Sequence, residues 1–108
     1  MYALNSFKFL DSVIAPTTSN ALSIGRASQL VLQVSGTSTS FSITVEGKVD
    51  ANATRDTIGV IKNSDFTTPS AITSKGIYTM SVDGYYDVVV KLTAIGNGNI
   101  TVYGKSGE

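Results

Sequence analysis

The stretch at residues 76–92, GIYTMSVDGYYDVVVKL, constrains the fold of this chain more than any other. Two alternating runs meet at Asp83-Gly84. In the first, Tyr78, Met80 and Val82 share a face. In the second, Tyr86, Val88, Val90 and Leu92 share a face, with Asp87, Val89, Lys91 and Thr93 on the other. An apolar residue at every second position around a turn dipeptide reads as strand, turn, strand, because a helix repeats about every 3.6 residues. Tyr85 follows Gly84 before the alternation settles, so the turn is wider than a two-residue hairpin loop.

The same pattern recurs along the chain. Leu22 and Ile24 mark a short strand. In Gln29–Ser35, Leu30, Leu32 and Val34 face one way, Val31 and Gln33 the other, and the polar turn GTSTS follows. From Phe41 the next strand turns Phe41, Ile43, Val45 and Val49 inward and Ser42, Thr44, Glu46 and Lys48 outward. Gly47 falls on the inward register, which predicts a bulge or a close approach by another segment. Ile58, Val60 and Ile61 form a short strand. Residues 63–75 are a long polar connection, tacked down by Phe66 and Ile72. Gly96-Asn97-Gly98 is a hairpin turn signal. The last strand, residues 99–104, points Ile100 and Val102 inward and Thr101 and Tyr103 outward, and a polar tail follows.

Seven or eight short strands, spaced about 8–12 residues apart, predict an all-β fold: a single antiparallel β-sandwich, immunoglobulin-like or jelly-roll-like, at residues 20–108. The local hairpins at 29–50 and 85–104 are the expected pairs. Residues 1–19 differ. Tyr2, Leu4, Phe7, Phe9, Leu10, Val13 and Ile14 are apolar without a period, and Pro16 with Thr17-Thr18-Ser19 closes the segment. This reads either as a first strand plus loop or as an N-terminal arm docked on another subunit. In the second case Tyr2, Leu4, Phe7, Phe9, Val13 and Ile14 are the partner-binding side chains, since two Phe so near a terminus need burial.

The 108 residues include no cysteine, histidine or tryptophan. The usual zinc ligands and the commonest general base are therefore missing, and no Ser–His or Cys–His pair can form. Eight Lys and Arg balance eight Asp and Glu and are dispersed along the chain, so no basic stripe points to nucleic acid or an anionic membrane. The N-terminus lacks a basic and then apolar leader, and no apolar run reaches membrane-spanning length, which sets the expectation of a protein made and kept in the cytoplasm or in a particle assembled there. About a quarter of the chain is Ser or Thr. Such a neutral surface suits a subunit packed against neighbours, and equally a plain extracellular β-domain.

Three constellations invite chemistry. Asp50, Asn52, Thr54 and Asp56 open like a calcium loop, but Arg55 and Ile61 stand where an EF-hand needs Gly and Glu. An inter-strand loop is the expectation, with a non-EF calcium site as the alternative. Asp83 and Asp87 flank Tyr85 and Tyr86, a pairing reminiscent of glycosidases. The spacing assigns Asp83 to a turn and Asp87 to an exposed strand face, which leaves no catalytic pair. Tyr85 and Tyr103 are the candidates for a surface aromatic patch. No metal, cofactor or catalytic site is expected.

The runs LVLQVSGTSTSFSITVEGKVD and GIYTMSVDGYYDVVVKLTAIGNGNITVYG carry a resemblance that covers roughly residues 20–104. With a Leu/Val strand leading to a Ser/Thr turn, a TVEG strand and a closing ITVYG, the chain resembles small β-sandwich virion proteins of tailed bacteriophages and prophages. The resemblance implies a non-enzymatic bacteriophage structural protein located in the virion. Its partners would be the major capsid protein or other virion subunits, met as a homo-oligomer or in many copies on a lattice. The short chain with an arm before the sandwich is more similar to a capsid decoration protein than to a fibre. The alternative is a tail-fibre or baseplate module that binds a host-surface carbohydrate or a neighbouring tail protein, using Tyr85 or Tyr103 and the loops at 51–56 and 63–75.

Overall fold

The computed structural model describes residues 5–107 and is all-β over that range, with ten strands in two antiparallel sheets. Six strands are long: β1 (Asn5–Val13), β4 (Gln29–Ser35), β5 (Phe41–Lys48), β8 (Gly76–Ser81), β9 (Asp87–Ile95) and β10 (Ile100–Gly107). Four are two-residue pieces: β2 (Thr17–Thr18), β3 (Leu22–Ser23), β6 (Asp56–Thr57) and β7 (Ile61–Lys62). Sheet A runs β1-β10-β4-β8-β7. Sheet B runs β2-β9-β5-β6, with β3 also on β9.

The inward faces follow the alternation. Leu30, Leu32 and Val34 of β4, Tyr78 and Met80 of β8, and Ile100 and Val102 of β10 line sheet A. Ile43 and Val45 of β5 and Val88, Val90 and Leu92 of β9 line sheet B. Each is almost wholly shut off from water. Burying an aliphatic side chain of this size stabilises the fold by about 1.5–3 kcal/mol. Alternating strands from two sheets thus close one core.

The strand pairing departs from the expected hairpins. β4 pairs with β10 and β8, β5 pairs with β9, and β9 and β10 lie in opposite sheets. The segments read as hairpins at 29–50 and 85–104 are arches that cross the core. The reason is that alternation fixes which side chains face inward and says nothing about which strand lies alongside. The GTSTS arch and the arch at residues 96–99 then meet at one end of the sandwich and bond each other. Ser38 N donates to Asn99 O (3.0 Å), Thr37 N to Asn99 Oδ1 (3.2 Å), Asn99 N to Thr37 Oγ1 (3.0 Å) and Thr39 N to Asn97 Oδ1 (2.8 Å). Gly36, at φ 125°, passes so close that an added methyl would collide with the Asn99 carbonyl.

Other sequence expectations are adjusted. Gly47 marks a close approach: a Cβ there would lie 2.7 Å from Ile58 Cδ1 and 2.8 Å from Tyr85 Cδ1. The register shift in that strand pair falls instead between Ser42 and Ile43. The polar tail is part of β10, which runs on to Gly107, with Ser106 buried and Gly107 opposite Gln29. Ile72 does tack down the long connection, exchanging backbone hydrogen bonds with Ile43 (2.9 and 2.8 Å). Phe66 does not. It is 80% exposed at φ 61°, on a turn closed by Phe66 N to Lys62 O (2.7 Å). Val49 is exposed as well.

Candidate functional site

The N-terminal segment lies along sheet A as an edge strand, antiparallel to β10 from Asn5↔Ser106 to Val13↔Ile100, with register shifts between Lys8 and Leu10 and between Leu10 and Val13. Phe9 and Leu10 are buried in the chain's own core, and Phe7 and Val13 pack against it. Phe7 meets Phe9 edge-on, with ring centroids 4.8 Å apart. The room comes from Gly104 on the neighbouring strand, where a Cβ would sit 2.5 Å from Phe9 Cε2. Phe9 is therefore withdrawn from any partner, and Phe7 and Val13 are partly so. Ile14 is 75% exposed. Tyr2 and Leu4 lie outside the described residues.

The outward side of sheet A forms a continuous surface. Register places Lys8, Tyr103, Gln33 and Ile77 side by side in one row, and Lys105, Val31, Thr79 and Ile61 in the next. Tyr103, Ile77 and Ile61 are each nearly half-exposed. A shallow depression of about 220 Å³ lies among Val31, Gln33, Ile77, Tyr103 and Lys105. None of β4, β7, β8 and β10 contains an acidic residue. At the β1 edge, Lys8 Nζ lies 5.3 Å from the Tyr103 ring centroid and 3.6 Å from Asp11 Oδ2. A partly apolar surface with Lys8 at its edge, Lys105 beside Val31 and no carboxylate on its inner strands can dock a protein surface, the long lysine stem letting its ammonium reach water.

Sheet B is different on its outer side. Asp87, expected on an exposed face, is buried there, and Arg55 reaches over from the loop before β6 to hold it. Arg55 Nε donates to Asp87 Oδ1 (3.1 Å) and Nη2 to Oδ2 (2.9 Å). That hydrogen bond raises the guanidinium above its ordinary value; burial pulls the other way, and the Asp87 and Glu46 charges add to the rise. Val89, two positions along on the same face, is also buried.

The two candidate aromatic residues part company. Tyr103 is on the outer face of sheet A. Tyr85 packs against the core over Gly47, and its neighbour Tyr86 is the exposed one, at 50%. Tyr85 N bonds Val82 O (3.0 Å) and Tyr86 N bonds Lys48 O (2.7 Å), so the chain is still turning there, and β9 begins only at Asp87. Lys48 Nζ stands 5.7 Å from the Tyr86 ring centroid. In the loop once compared with a calcium site, Asp50 Oδ1 accepts from Asn52 N (2.9 Å) and Asp56 Oδ1 from Thr57 N (2.8 Å), both local turn bonds. Among the described residues, no three His, Cys, Asp or Glu side chains group as metal ligands.

Comparison with known proteins places this geometry. The XepA family model matches residues 3–106. The chain belongs to the XepA family. Its structure is similar to the SPBc2 prophage-derived protein YomS, with a TM-score of 0.89 at 22% identity over 98% of this chain and 94% of that one. It is also similar to the PBSX exported protein XepA, with a TM-score of 0.91 at 22% identity over 97% of this chain. The match spans 38% of that XepA chain. A more distant fold likeness, TM-score 0.54 at 13% identity, is to a CBM32 module of Clostridium perfringens solved in complex with GlcNAc-α-1,4-galactose. Among curated proteins none matches the chain. As a XepA-family protein, the chain is a small β-sandwich protein whose fold is shared with the prophage-derived YomS.

Proposed function

We propose that this chain is a non-enzymatic structural protein of a phage particle, and specifically a decoration protein that seats on the outside of the assembled capsid through the outer face of sheet A. The observation that carries this reading is that face itself: Ile61, Ile77 and Tyr103 stand open around half-buried Val31 on strands free of acidic residues. The prophage origin of YomS supports a phage context. A protein that binds only the assembled lattice stabilises it by mass action, and many symmetric copies do so through a modest contact each. The contact assigned to residues 2–14 moves to this face, because Phe9 and Leu10 are spent on the chain's own core.

The test is co-sedimentation with purified heads and purified tails of the encoding phage. Binding to heads supports the reading, and binding to tails alone overturns it. A second reading, a carbohydrate-binding tail module, draws on exposed Tyr86 beside the Arg55–Asp87 pair and on the fold shared with the sugar-bound Clostridium module. A glycan-array hit that is lost in Tyr86→Ala would favour it.

A further inference from the structure

We propose that Asn97 is a spontaneous deamidation site that the folded arch keeps closed and that becomes reactive when this end of the sandwich opens. Among the asparagines, at positions 5, 20, 52, 63, 97 and 99, Asn97 alone precedes a glycine. Ring closure requires the next backbone nitrogen to reach the side-chain carbonyl carbon, and a residue without Cβ obstructs that approach least. The Gly98 nitrogen attacks Asn97 Cγ and a C–N bond forms. The Cγ–Nδ2 bond breaks, and the amide leaves as ammonia with the proton from Gly98. Water then opens the succinimide at either carbonyl, leaving Asp or isoaspartate. One water is consumed and one ammonia released, with no oxidant or cofactor.

In the folded arch each participant is held. Asn97 Oδ1 accepts from Ser38 Oγ (3.2 Å) and Thr39 N (2.8 Å), and Nδ2 donates to Thr39 Oγ1 (2.8 Å). Gly98, at φ 62°, is wedged against the facing arch: a methyl there would lie 2.7 Å from both Ser38 N and Thr37 Oγ1. Rotating this peptide into the ring means breaking the stitch between the arches, so the reactive state is a locally opened one.

The product does not fit back. Aspartate replaces the Nδ2 that donates to Thr39 Oγ1 with a charged oxygen, in a side chain whose other oxygen meets wholly buried Ser38, and isoaspartate lengthens an arch fitted to its partner. Asp83-Gly84 supplies an internal comparison. It closes the same ring by losing water and regains water on opening, on an exposed turn outside the stitch.

The experiment incubates the full chain folded, and unfolded in guanidinium, and follows each Asn by peptide mass spectrometry. The formal net charge of zero means that one event makes the chain −1 (0 − 1), which ion exchange resolves. Folded protein is expected to deamidate at Asn97 at least about tenfold more slowly than unfolded protein, equivalent to about 1.4 kcal/mol of local opening. Thr39→Val, checked for an unchanged circular dichroism spectrum, should speed Asn97 severalfold and leave Asp83 isomerisation unchanged. Equal Asn97 rates in folded and unfolded chains would overturn the proposal. So would earlier modification of another asparagine in the unfolded chain, or an unaltered Asn97 rate in a folded Thr39→Val protein.

Discussion

The two outer faces of the sandwich come from the same kind of sequence and end in opposite states. On sheet A, outward Ile77 and Tyr103 remain open to solvent and Val31 is half-buried between them. On sheet B, outward Asp87 and Val89 are buried, and an arginine from a loop reaches over to the aspartate. Both faces carry apolar residues at outward positions, so pattern alone does not separate them. What separates them is whether anything crosses above. A face left open at its apolar positions, while Asp87 and Val89 opposite are covered, underlies the proposed docking surface.

The contrast can be broken most forcefully at Arg55. Arg55→Ala strands the Asp87 carboxylate, whose side chain is 8% exposed, and should cost about 3 kcal/mol in urea unfolding. A loss below about 0.5 kcal/mol, the size of an ordinary surface change, would mean that sheet B is not strapped. Next in size is Gly104→Ala, which pushes a methyl into Phe9 from the inner side of sheet A. Overpacking of this kind costs about 1–3 kcal/mol, and a neutral result would show that β1 is only loosely attached. Val31→Ser and Ile77→Ser, on the open face, should each shift stability by no more than about 0.5 kcal/mol, as measured by thermal melting.

The smallest effect concerns protons. Asp65 lies in the exposed turn beside β7, and Thr67 lowers its pKa, first through its hydroxyl and then through its backbone N–H. Its folded value lies below the unfolded one, so its contribution is present above the unfolded pKa and is lost as pH falls through the folded one. NMR titration should find Asp65 below the ordinary 3.8 in the wild type and nearer to it in Thr67→Val, with no change at sheet B.

Much of the fold was legible because burial imposes a period of two. Leu30, Leu32, Val34, Ile43, Val45, Val88, Val90, Leu92, Ile100 and Val102 all face the core as the alternation indicates. Strand partnership was not legible, because an arch and a hairpin present the same inward residues. The signal for the arches lies in their polar residues: Thr37, Ser38 and Thr39 of one arch bond Asn97 and Asn99 of the other, which only spatial proximity reveals. The proposed docking face is half legible: the outward register marks Tyr103, while nothing in the sequence marks Val31 or Ile77, because their neighbours lie on strands distant in sequence. Tyr85 was misplaced by the irregular turn after Gly84, and Asp87 by an arginine 32 residues away. The choice between a first strand and an arm for Phe9 stays open in the sequence because its accommodating glycine lies at position 104, far along the chain.

The most direct measurement compares wild type, Val31→Asp/Ile77→Asp and Tyr86→Ala for co-sedimentation with purified phage heads. The account predicts that wild type and Tyr86→Ala pellet with heads, whereas the double variant, folded by circular dichroism, stays in the supernatant. Undiminished pelleting of the folded double variant would contradict the assignment of the outer face of sheet A as the docking surface.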